Sequence, residues 1–82
     1  MSGDSPLRGL TTVKAVRTFQ RLGYLVERVT NGHMVLEHPE RPPIQLPYRG
    51  IEQVAEELLR RQAQVAGVSF SELEAAVPEP DG

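Results

Sequence analysis

The sequence predicts an α+β domain in the order α-β-β-β-α: a three-stranded antiparallel sheet, two main helices on one face and a short C-terminal helix. Three observations predict it. Apolar residues recur at helical spacing before Gly23 and again before Gly67. Asn31-Gly32 separates two runs that read as strands, and a third short alternation follows at Ile44 to Leu46. A three-stranded antiparallel sheet with both main helices on one face satisfies the layer rule for α+β domains.

The 82 residues hold one domain. Residues 1–9, with Gly, Asp, Ser and Pro, read as a flexible leader, residues 10–77 as the domain and residues 78–82 as a tail. In the domain, Thr11-Thr12 offers an N-cap. Val13, Ala15, Val16, Phe19 and Leu22 then trace a helical face that stops at Gly23. Tyr24 to Val29 is rich in β-branched and aromatic residues and predicts the first strand. Asn31-Gly32 tolerates positive φ at both positions, so His33 to His38 predicts the second strand of a hairpin.

Pro39, Pro42 and Pro43 make the next turn, and Ile44 to Leu46, bracketed by Pro43 and Pro47, predicts a third strand at a sheet edge. From Ile51 the period is helical again. Val54, Leu58, Arg61 or Gln62, and Val65 trace its face, Glu52, Glu56 and Glu57 favour its positive N-terminal end, and Gly67 closes it. Ser69 and Glu72 have the spacing of a capping box and open a last helix reaching to about Val77.

Charge divides the chain. Between Leu10 and Gly50, Lys14, Arg17, Arg21, Arg28, Arg41 and Arg49 outnumber Glu27, Glu37 and Glu40. From Ile51 to Val77, Glu52, Glu56, Glu57, Glu72 and Glu74 outnumber Arg60 and Arg61, and the whole chain carries −2. Lys14, Arg17 and Arg21 fall within roughly 60° of one another on a helix. Such a stripe can follow phosphates or can be a solvated face. With no cysteine and two histidines, neither disulfides nor a structural zinc site is expected, and no metal or cofactor motif is present. No apolar run approaches a membrane span and no secretory signal opens the chain, so the expected location is cytoplasmic.

The histidines carry what chemistry there is. Imidazole exchanges a proton near neutral pH, as cleavage of RNA at a 2′-hydroxyl requires. Strand side chains alternate, so His33 and His38, five positions apart, are expected on opposite faces and cannot act as a pair. His33, directly after the hairpin turn, is the candidate acid or base, whereas His38 before Pro39 is expected to be a turn residue.

The predicted architecture is that of double-stranded-RNA-binding domains. The ordered motifs go further: Gly23-Tyr24, Gly32-His33, His38-Pro39, Pro47 and Ala66-Gly67-Val68-Ser69 together resemble the HicA-type mRNA interferase toxins, the YcfA-like family, over about residues 12–77. That resemblance implies a toxin of a toxin–antitoxin pair, an endoribonuclease that cleaves mRNA without a metal and is neutralised by a HicB-type antitoxin protein. It implies catalysis by His33, with Asn31 and Gly32 forming the turn before it. Lys14, Arg17, Arg21 and Arg28 would be the RNA-binding cations. The sequence departs from the family pattern in its acidic balance, in Asn31-Gly32 before the histidine, and in the acidic start of the second helix. The alternative is therefore a HicA-like protein- or RNA-binding module without catalysis, whose Glu52, Glu56 and Glu57 face would suit a basic partner.

Overall fold

The computed structural model describes residues 5–48 and 53–78. Its elements are α1 (Thr12–Arg21), β1 (Leu25–Thr30), β2 (His33–Glu37), β3 (Ile44–Pro47), α2 (Glu56–Ala66) and α3 (Phe70–Ala75). The three strands form one antiparallel sheet in the order β1-β2-β3, which places β3 at an edge. Met34 and Leu36 of β2 lie opposite Leu46 and Ile44 of β3, and all four are buried. They form one core with Ala15 and Phe19 of α1, Leu59, Ala63 and Ala66 of α2, and Leu73 of α3. The helices thus share one face of the sheet, and the α+β layout is the one expected. No helix among the described residues is long and apolar enough to cross a membrane.

Both long helices end in the same hydrogen-bonded motif. At the end of α1, Tyr24 N–H donates to the Phe19 carbonyl and Gly23 N–H to the Gln20 carbonyl, each at 3.0 Å. At the end of α2, Val68 N–H donates to Ala63 (2.9 Å) and Gly67 N–H to Gln64 (3.1 Å). This is the Schellman arrangement, in which two otherwise orphaned carbonyls find donors. The residue after each glycine is buried, so each cap also seats an apolar side chain in the core. Arg41 adds a cation at the end of α2, donating from Nη1 to the carbonyls of Ala66 (3.0 Å) and Gly67 (3.1 Å). In α3 the capping box is complete: Glu72 N–H donates to Ser69 Oγ, and Ser69 N–H to Glu72 Oε1, both at 3.1 Å.

Two expectations need correction, and two further features stand beside them. Val13 is 54% exposed, and α1 instead buries Thr12, Ala15, Thr18 and Phe19. Threonine can be turned inward here because its methyl is apolar and its hydroxyl bonds within the helix, as Thr18 Oγ1 does to the Lys14 carbonyl at 2.8 Å. The second helix starts at Glu56, not Ile51, and buries Leu59, Ala63 and Ala66, one residue on from Leu58, Gln62 and Val65. Its late start has a cause: Gln53 bridges to Thr11 and Val54 N–H donates to the Leu10 carbonyl (2.7 Å), which holds this stretch extended up to the cap at Ala55. Residues 5–9 form a turn, Leu7 is completely buried, and Ser5 Oγ accepts from Leu7 N–H (3.1 Å) and Arg60 Nη2 (3.2 Å). Finally, β1 is irregular: Val26 faces Leu36 and Arg28 faces Val35, leaving Glu27 as an extra residue in a bulge.

Arg60 gathers the helical layer. Its guanidinium bonds Glu56 Oε2 (2.7 Å) and Glu74 Oε2 (3.0 Å) and lies 4.8 Å from the centre of the Phe70 ring. The hydrogen bond from Arg60 holds the Glu56 carboxyl below the usual glutamate range, against the opposing effect of burial.

Two predictions follow from this packing. A Cβ on Gly23, whose φ is +103°, would lie 2.6 Å from His38 Nε2. Gly23→Ala should therefore cost about 1–2 kcal/mol from backbone strain alone, plus the collision. In a Gly23→Ala/His38→Ala double-mutant cycle by urea unfolding, the two costs should sum to more than the double variant shows. The second concerns pH. A depressed Glu56 pKa means the Glu56–Arg60 pairing stabilises the fold above the ordinary glutamate value of 4.5 and loses that contribution as pH falls through the lowered value. The melting-temperature gap between wild type and Arg60→Gln should be widest at neutral pH and narrow in acid. What remains there is the pH-independent loss of the Phe70 contact and of the hydrogen bond to Ser5.

Candidate functional site

The hairpin turn is built for His33. Asn31 (φ +48°) and Gly32 (φ +79°) both occupy the left-handed region, giving the two-residue turn whose twist matches paired strands. It sets Thr30 opposite His33, and β3 then sets Pro47 on the other side. The Gly32 carbonyl accepts from Tyr48 N–H at 2.7 Å, so the turn is tied to the chain beyond β3 as well as to β1. His33 is thereby the first residue of the central strand, exposed, and rigidly placed by neighbours on both sides.

Alternation then decides which side chains accompany it. Met34 and Leu36 point into the core, so His33, Val35 and Glu37 belong to the opposite, uncovered face. Arg28 stands opposite Val35, one diagonal step from His33, a spacing of about 7–8 Å in an antiparallel pair. Of the four cations named from the sequence, Arg28 is the one the sheet brings to His33. Lys14, Arg17 and Arg21 ride on α1, in the helical layer behind the sheet. Lys14 is half-buried there, and Arg17 and Arg21 are exposed.

His38 is occupied elsewhere. Its ring lies 5.0 Å from that of Tyr24, tilted by 60°, and its Nδ1 accepts from Glu40 N–H at 2.9 Å. Tyr24 in turn meets Phe19 edge-on at 5.9 Å and donates its hydroxyl to the Pro42 carbonyl at 2.8 Å. Burial raises the Tyr24 phenol above its ordinary pKa, with Arg41 opposing that shift, so the hydroxyl stays a donor at neutral pH. The two histidines lie on opposite sides of the sheet, and His38 is part of a packed joint.

Beside His33 lies a cleft of about 340 Å³. Its other walls are Gln45, Leu46 and Pro47 of β3 and Leu58 and Gln62 of α2. None of these side chains is charged. Gln62 Oε1 accepts from Gln45 N–H at 3.1 Å, closing one donor of the free β3 edge. Sequence reading missed this cleft because its walls come from positions 33, 45–47, 58 and 62, which no local motif unites. It also missed an apolar exposure on β1, where Leu25 is 70%, Val26 37% and Val29 47% exposed. Val26 and Val29 face the helical side, but the helices do not cover that end of the sheet.

The acidic face proposed for a basic partner is altered too. Glu57 is exposed, Glu56 is held by Arg60, and Glu52 lies outside the described residues. Comparison with protein-family models and with curated proteins returns no match for this chain.

The two histidines should separate in a stability measurement. His33→Ala, at an exposed strand start, should leave the unfolding free energy within about 0.5 kcal/mol of wild type. His38→Ala removes a ring contact and a hydrogen-bond acceptor and should cost about 1–2 kcal/mol. Urea titrations of the two variants at neutral pH check this; equal losses would contradict the assignment.

Proposed function

We propose that this chain is a HicA-like ribonuclease, the toxin of a toxin–antitoxin pair, acting on mRNA in the cytoplasm with His33 as its single catalytic residue. The observation that carries the reading is the placement of His33: exposed, at the exit of a two-residue turn, on the uncovered face of the sheet and apart from His38. A second observation supports the resemblance itself. Gly23-Tyr24 and His38-Pro39, two of its motifs, lie fifteen residues apart by number yet Gly23, Tyr24 and His38 meet in one joint.

The chemistry asked of His33 is a proton transfer. As the neutral imidazole it takes the proton of a 2′-hydroxyl while the 2′-oxygen attacks the adjacent phosphorus. The bond from phosphorus to the 5′-oxygen breaks, and that oxygen is protonated by water or by the imidazolium just formed. Of these four cations Arg28 is the one the strand register sets beside His33 to meet the phosphate, and Lys14, Arg17 and Arg21 hold more distant parts of the strand. A HicB-type antitoxin would neutralise the protein by covering His33, and the exposed Leu25, Val26 and Val29 give such a partner an apolar footing next to that face.

A second reading, a HicA-like protein- or RNA-binding module without catalysis, is favoured by one observation: among the described residues no Lys or Arg lines the cleft beside His33.

Induced expression in a bacterium separates the two. Growth arrest with loss of mRNA in wild type, abolished in His33→Ala at equal soluble protein, is the expected result. Cleavage by the purified variant should fall about 10²–10⁴-fold, the usual range for a general acid or base. Normal growth with intact mRNA would sink the ribonuclease reading. RNA affinity should also fall with salt, and each of Arg17→Gln, Arg21→Gln and Arg28→Gln should flatten the log–log slope by about 0.7 if its guanidinium meets a single-strand phosphate.

A further inference from the structure

We propose that the cleft between β3 and α2 binds an unpaired nucleobase, the one belonging to the nucleotide presented to His33. This rests on the ribonuclease reading and adds where its substrate's base is held. The first ground is charge. Gln45, Leu46, Pro47, Leu58 and Gln62, its described walls beside His33, carry no charge, so among the described residues the cleft has no Lys or Arg to neutralise a phosphate and suits a neutral group better, with the backbone outside it, towards Arg28.

The second ground is the fixed amide of Gln62. Of the two ends of an amide side chain only the oxygen accepts, so the bond from Gln45 N–H to Oε1 settles which way Gln62 is turned. Its Nε2 then remains a donor at the cleft, alongside His33 and Gln45. An apolar protein side chain entering here would bury those donors without acceptors, at a cost that a hydrogen-bonded ligand avoids. A base answers both needs: apolar faces against Leu46, Pro47 and Leu58, and ring or carbonyl acceptors at its edge for Gln62. The base must be free of its helix, because single-stranded bases alone can turn a face and an edge into a protein cleft together.

The test uses His33→Ala protein, to stop cleavage, with ¹⁵N labelling. It is titrated with a mixed-sequence single-stranded RNA octamer and with an abasic ribose-phosphate strand of equal length. The RNA should shift the Gln62 side-chain amide and the Gln45 backbone amide, and the abasic strand should leave both in place. Gln62→Glu keeps an acceptor for Gln45 N–H but has no donor. In the same background it should bind the RNA about tenfold more weakly and lose much less for the abasic strand. Equal losses for both strands would mean simple repulsion and overturn the base site. So would a cleft that stays silent while Arg28 responds; the ribonuclease reading would then stand or fall on whether wild type cleaves. RNA that shifts the cleft without being cleaved by wild type would keep the base site and remove the catalysis.

Discussion

The domain depends on one joint, where the end of α1, the start of β1 and the end of β2 meet. Gly23 takes the left-handed conformation that closes α1, and the chain then turns so that Tyr24 enters the core against Phe19. The Tyr24 hydroxyl reaches over to the Pro42 carbonyl, and its ring supports His38, which lies where a side chain on Gly23 would be. A small domain buries only about 60% of the surface its unfolded chain exposes, so a joint that fixes three elements at once matters more than in a larger core. Without it the hairpin could rotate on the helices, and the parity that sends Met34 inward and His33 outward would have no reference.

From that joint the differences between sequence and structure become understandable. The order of elements, the hairpin, both glycine ends and the capping box were legible because each is a local device with a residue signature. The buried faces of the helices were not. Periodicity ranks Val13 above Thr12 and Leu58 above Ala63 by hydrophobicity, whereas packing against a narrow sheet selects by size and by whether a hydroxyl can be satisfied locally. Thr12, Thr18, Ala63 and Ala66 are small enough to let the helices approach four sheet residues, Met34, Leu36, Ile44 and Leu46. The bulge at Glu27 and the packed Leu7 belong to the same class: each exists because of a partner distant in sequence or a strand register, and neither leaves a mark in its own neighbourhood.

The candidate site was legible in half. Period-two alternation was enough to part His33 from His38, and the Asn-Gly turn was enough to place His33 at a strand start. The cations were harder, since a helical stripe says which residues share a face but not which side of the sheet that face ends up on. Arg28 joins His33 through strand register; Lys14, Arg17 and Arg21 do not, because α1 packs on the side that holds Met34. The formal charge was the least informative quantity. Glu56 and Glu74 are engaged by Arg60 within the helical layer, so part of the acidic excess is internal wiring between α2, α3 and the leader, not a surface presented to RNA.

That separation has a consequence for how a strand could lie on this protein. A backbone following Lys14, Arg17 and Arg21 runs along the helical layer, whereas the imidazole projects from the opposite face and its neighbouring cleft is uncharged. On the proposed ribonuclease reading, electrostatic attraction and chemistry therefore fall on different surfaces, joined around the β3–α2 edge or past β1. An RNA held at the stripe alone would gain affinity without being cut, and cleavage requires a strand long enough, and single-stranded enough, to pass an edge of the sheet and bring a 2′-hydroxyl to His33. On that reading, a partner that closes both routes would prevent cleavage while leaving the stripe free to hold RNA, and the apolar residues of β1 give it a footing at one of them.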